Sequence, residues 1–127
     1  MVAITGLFSG IAVKDIDKAR SFYSNTLGLS VKDDAMNALN IALPQGGIIY
    51  IYPKGDHTPA TYTVLNLEVA DIDAAVDELK SKGVTFEVYE GAHQDDKTIA
   101  RGKSAGFGPD IAWFLDPSGN ILSVLSN

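Results

Sequence analysis

The sequence predicts an α+β fold of two tandem βαβββ modules whose strands form a curved mixed sheet, module 1 over about 1–56 and module 2 over about 61–127. Two internal repeats carry this expectation. VKDIDKA at residues 13–19 returns as VADIDAA at 69–75, identical at five of seven positions with an offset of 56. LPQGGII at 43–49 is echoed by DPSGNIL at 116–122, where Pro, Gly and Ile match at an offset of 73. The larger offset places 17 extra residues between the helix and the last strand of the second copy.

Each copy reads as strand, helix, then strands. Residues 7–13 form a short apolar stretch, and Asp15 can cap a helix whose Ile16, Ala19, Phe22 and Tyr23 share a face before Gly28 stops it. Short strands follow at 30–33, 38–43 and 48–52, the last two joined by the turn PQGG. Residues 53–60 are a polar connector. In the second copy, 62–69 is β-branched and apolar, as a sheet strand requires. Asp71 caps a helix with Ile72, Ala75, Val76 and Leu79 at i, i+3, i+4 and i+7, Lys80 and Lys82 suit its C-terminal dipole, and Gly83 ends it. Strands are expected at 84–89, 111–115 and 121–125, with PSGN as the closing turn.

Composition narrows the function. The chain has 127 residues, the length of one ordinary domain, and its 46% hydrophobic and 20% charged content describes a globule. No apolar run approaches the roughly 20 residues of a spanning helix. Residues 1–13 lack a basic leader region and do not read as a signal peptide, so a cytoplasmic location is expected. With no cysteine, disulfide scaffolds, thiolate zinc sites and cysteine nucleophiles are excluded. Ten Lys and Arg against sixteen Asp and Glu give the wrong sign for a nucleic-acid binder, so the expected partner is a small molecule or a protein. His57 and His93 are the only histidines.

The VxDIDxA helix start, Phe22-Tyr23 followed by Leu27-Gly28, and FLDPSGN at 114–120 resemble the vicinal oxygen chelate superfamily, which includes glyoxalase I, extradiol dioxygenases, fosfomycin-modifying enzymes and bleomycin-resistance proteins. The resemblance covers essentially the whole chain and implies a homodimer. In metal-dependent members it implies ligands seven residues before each helix-start Asp and four after each turn Gly. Those positions hold Phe8, Val64, Tyr50 and Ser123 here, none of them a credible ligand for a divalent cation. A metal-free member with no cofactor is therefore expected.

Strand alternation assigns residues to the same face as these four. Phe8 brings Gly6, Gly10 and Ala12; Tyr50 brings Ile48 and Tyr52; Val64 brings Tyr62, Asn66 and Glu68; Ser123 brings Ile121 and Leu125. Trp113 joins them or not according to the hairpin register. The set suits a cleft for an apolar or aromatic ligand, although the same side chains could instead fill a collapsed core. Residues 91–109 read either as a lid, with Phe107 closing on an apolar ligand and Arg101 or Lys103 meeting an anion, or as a solvated surface loop containing part of a strand.

The expected function is metal-independent small-molecule binding in a sheet-lined pocket. The alternative is a lyase, isomerase or dioxygenase that uses displaced ligands such as His57, His93 and Glu68, or metal-free acid–base catalysis with Glu68 as the candidate general base. The third reading is an interaction module without a ligand.

Overall fold

In the computed structural model, which describes residues 1–127, Asp15 and Asp71 start the two helices alike. Both adopt extended backbone, at φ −128° and ψ 108° and at φ −128° and ψ 100°. Their carboxylates accept from the amides of Lys18 and Ala74 at 3.0 and 3.1 Å. Helix α1 runs Ile16–Ser21 and continues into a π-helical turn, Phe22–Thr26, while α2 spans Ile72–Ser81.

The chain divides into two compact units, Met1–Thr58 and Pro59–Asn127. In the first, β1 (Ser9–Val13), β2 (Ser30–Asp33), β3 (Leu39–Ala42) and β4 (Ile48–Pro53) form a sheet ordered β1-β4-β3-β2. Strand β1 is parallel to β4 and the other pairs are antiparallel. Val13, Tyr23, Leu39 and Ile51 are fully buried in its core.

The second unit repeats the plan with β5 (Thr63–Glu68), β6 (Ala100–Arg101), β7 (Asp110–Leu115) and β8 (Ile121–Ser126), ordered β5-β8-β7-β6, with β5 parallel to β8. Val76 on α2 packs out of solvent together with Ile99, Phe114 and Leu122, all at 0% exposure. Both hairpin turns close with the same two backbone bonds: Leu43 N–H to Gly47 O and Gly46 N–H to Leu43 O in one, Asp116 N–H to Asn120 O and Gly119 N–H to Asp116 O in the other. The α+β class and the mixed sheets match expectation.

Two elements differ from their sequence reading. Strand β1 begins at Ser9, so Leu7 and Phe8 lie before it and are exposed. Residues 84–89 do not form a regular strand: Phe86 makes an isolated bridge to Phe114, and the Glu87 N–H reaches Trp113 O at 2.8 Å. The reason is Gln94, whose side chain bonds the Tyr89 N–H and the Glu87 carbonyl, both at 2.8 Å, and so takes ladder positions from a neighbouring strand. The remaining edge of β7 is covered by β6, through Ala100 opposite Ile111 and Arg101 opposite Asp110. A short helix, α3 (Gly102–Ala105), follows. No helix is long and apolar enough to cross a membrane.

Candidate functional site

The register of the second sheet settles which side chains share a face. Trp113 lies directly opposite Ser123, and Ser123 opposite Asn66, so the three form one row across β7, β8 and β5. Ser123 is fully buried, and its hydroxyl donates to Asn66 Oδ1 at 2.6 Å. Next to this row is an open cleft of about 200 Å³ lined by Thr61, Tyr62, Thr63, Tyr89, Trp113 and Ile121. Tyr89 meets Trp113 edge-to-face, with ring centroids 5.5 Å apart. Burial pushes the Tyr89 phenol above its ordinary pKa, and the charge of Glu87 adds to the shift, so the cleft presents a neutral hydroxyl among aromatic faces at neutral pH.

Val64 is not part of this lining, which corrects the sequence expectation. Thr63 pairs with Ile121 and Leu65 with Leu122, leaving residue 64 as the extra residue of a β-bulge. An added residue inverts the alternation on one side of it, and Thr63 takes the place that unbroken alternation assigns to Val64. Tyr62 reaches the cleft while remaining 69% exposed.

In the first unit, Phe8, Tyr50 and Tyr52 come together. Phe8 meets Tyr50 edge-on at 6.2 Å, and the rings of Tyr50 and Tyr52 stack at 6.1 Å and 25°. Gly10 and Ala12 lie opposite Tyr50 and Tyr52 and leave room for the rings. The row is an open surface, with Phe8 63% and Tyr52 38% exposed.

The family's metal positions do not fit a divalent cation in this chain. Phe8 and Val64 carry no donor atom, Tyr50 is engaged in ring packing, and the Ser123 hydroxyl is committed to Asn66. No three His, Asp or Glu side chains gather anywhere as a possible metal centre. Glu68 is exposed and accepts from the Asn127 side-chain amide at 3.1 Å, and it does not line the cleft. His57 lies in the connector, and His93 is an exposed residue at φ 54°.

The 91–109 segment contains the short strand β6 and helix α3. Arg101 is bound by Asp73 and Asp95, and Lys103 Nζ donates to Ser126 Oγ at 3.0 Å, so both cations are taken up by the chain itself. Phe107 is 88% exposed and does not line the cleft, and its N–H donates to Gly102 O just beyond α3. Tyr89 was not anticipated as a wall of the cleft. It lies in a stretch that forms no regular strand, so alternation along the sequence assigns it no face.

The model of the Glyoxalase/Bleomycin resistance protein/Dioxygenase superfamily matches residues 4–124. No curated protein matches the chain by sequence. Among solved structures, it is similar to a putative glyoxalase family protein from Bacillus anthracis, at TM-score 0.69 and 17% identity over 100% of this chain and 99% of that one. It is also similar to TnmS3, an antibiotic binding protein from Streptomyces sp. CB03234, at TM-score 0.66 and 22% identity, covering 99% and 98%. The fosfomycin resistance protein FosX from Listeria monocytogenes, complexed with Mn(II) and sulfate, superposes at TM-score 0.70 and 16% identity over 98% and 92%. A family match spanning nearly the whole chain, together with this shared fold, establishes that the chain belongs to the Glyoxalase/Bleomycin resistance protein/Dioxygenase superfamily.

Proposed function

We propose that this chain binds a small apolar or aromatic molecule, without a metal and without chemistry, and that it works as a homodimer in the cytoplasm. The observation that carries this is the open cleft lined by the rings of Tyr62, Tyr89 and Trp113 together with the hydroxyl-bearing Thr61 and Thr63. Aromatic walls with a few fixed polar groups are what a planar ligand needs for stacking and orientation. The unsuitable donor set at the family's metal positions supports metal-free binding. The similarity to an antibiotic binding protein supports a binding role over turnover. Enzyme action through Glu68, His57 and His93 has no comparable support: Glu68 and His93 are both exposed, and neither lines the cleft.

Trp113 is the only tryptophan, so its emission reports the site directly. Titration with planar aromatic compounds should change that emission saturably, and a ligand at a hundred times its Kd should raise stability by about 2.7 kcal/mol. Stoichiometric nickel, zinc, iron or manganese in the purified protein would overturn the metal-free reading. A monomer in sedimentation velocity would overturn the homodimer.

A further inference from the structure

We propose that the cleft takes the methylated ammonium head of a small organic cation, held against the rings of Trp113, Tyr89 and Tyr62. This rests on the reading that the cleft binds a small apolar or aromatic molecule, and it adds that molecule's charge. The rings of Tyr89 and Trp113 stand 77° to one another with centroids 5.5 Å apart, so they form two walls of a corner, and Tyr62 adds a third ring to the lining. A ring face carries the negative end of the quadrupole and attracts a cation within about 6 Å of its centroid, most strongly at Trp. The other lining side chains, Thr61, Thr63 and Ile121, are neutral.

Such a lining sorts ligands by charge. It holds no Lys, Arg or His, so an anion entering it gives up water and meets no countercharge. A primary ammonium carries three N–H donors, which ring faces match poorly. A fully methylated ammonium has no N–H to satisfy and presents its charge through methyl groups that pack against rings. The surrounding field has the favourable sign. Glu87 is fixed next to the site by its N–H bond to Trp113 O at 2.8 Å, and its charge, after burial, helps hold the Tyr89 phenol above its ordinary pKa. The chain as a whole carries a formal charge of −6.

The test uses (4-hydroxyphenyl)trimethylammonium and 4-tert-butylphenol, two probes of one shape that differ by a cationic nitrogen in place of a carbon, titrated calorimetrically against the intact protein. Trp113 is the only tryptophan, so growth on 5-fluorotryptophan puts one fluorine at the site and weakens the quadrupole with little change of shape. Affinity for the cation should fall about threefold while affinity for the phenol holds. Tyr62 is 69% exposed, so its replacement leaves the core intact. Tyr62→Leu should lower the cation-to-phenol affinity ratio about threefold, and Tyr62→Phe, which keeps the ring, should leave it at the wild-type value. A wild type that binds the phenol and not the cation, or a ratio unmoved by both the fluorine and Tyr62→Leu, overturns the cationic ligand and leaves the binding reading standing. Failure of both probes to bind the wild type overturns both.

Discussion

Arg101 holds Asp73 by a two-pronged grip, Nη2 on Oδ1 at 2.8 Å and Nη1 on Oδ2 at 3.0 Å, while its Nε reaches Asp95 Oδ2 at 2.8 Å. Asp73 sits in the first turn of α2 and Arg101 at the end of β6, so one guanidinium fastens the long loop to the helix. Lys97 adds a second cation, 3.2 Å from both Asp73 and Asp77.

The grip sets an acid limit on stability. The Arg101 guanidinium, followed by Lys97, holds the Asp73 carboxyl well below the usual carboxylate range. Burial pushes Asp95 up, but the Ile99 N–H, Arg101 and the Lys97 N–H outweigh it, and its pKa also ends low. A depressed carboxylate contributes stability that is present above its unfolded value of about 3.9 and disappears as pH falls toward the folded value. Melting temperature measured downward from about pH 4 should therefore fall less steeply in Asp73→Asn than in the wild type, with the variant already lower at pH 7. Parallel curves would show that the pair contributes nothing.

Asp116 predicts an asymmetry between the two halves. Buried at 4% exposure, its carboxylate accepts from the Ser118 N–H at 2.8 Å, the Asn120 N–H at 3.0 Å and Asn120 Nδ2 at 2.9 Å. Leu43 occupies the same place in the first turn and shares only the backbone bonds. Asp116→Ala leaves buried donors unmatched and should lower unfolding free energy by about 3 kcal/mol, with Asp116→Asn recovering part because one oxygen remains. Urea denaturation measures it, and a loss below about 1 kcal/mol would contradict the account.

Much of this architecture was legible because the repeat offsets carry register as well as element type. Gly10 opposite Tyr50 and Asn66 opposite Ser123 are related by the offsets of 56 and 73 that relate the helix starts and the turns. The register also places Asn40 opposite Tyr50 as Trp113 lies opposite Ser123, which answers on which face Trp113 stands. What stayed hidden depends on single side chains or single insertions. The bulge at Val64 leaves no periodic trace in TYTVLNLE. Arg101 reads as an anion-binding cation until the fold brings Asp73, 28 residues earlier in the chain, against it.

Gly102 is required by contact rather than by φ. A Cβ there would collide with the Pro109 carbonyl oxygen and come within 3.0 Å of the Gly108 oxygen, both backbone atoms with no rotamer to yield. Gly102→Ala should destabilise by about 1–3 kcal/mol. Gly55→Ala, where a Cβ meets nothing within 4 Å, is the control and should be neutral. Equal melting temperatures for the two variants would refute the steric account.

Gln94 makes the most far-reaching prediction, because one side chain holds three backbone groups around the cleft wall. Its Oε1 accepts from the Tyr89 N–H, and its Nε2 donates to both Glu87 O and Thr98 O, each at 2.8 Å. Tyr89 in turn stands edge-on to Trp113. Gln94→Leu fills a similar volume but satisfies none of the three groups, so the Tyr89 amide should exchange with solvent at least about tenfold faster. Probe affinity at Trp113 should fall with it, because a wall free to move must be ordered on binding. Hydrogen exchange resolved at Tyr89 separates this from general destabilisation: amides of Phe114 and Leu122 in the core should keep their order of protection. Faster exchange throughout the second sheet, with no preference for Tyr89, would mean that Gln94 supports the fold as a whole and has no particular hold on the cleft.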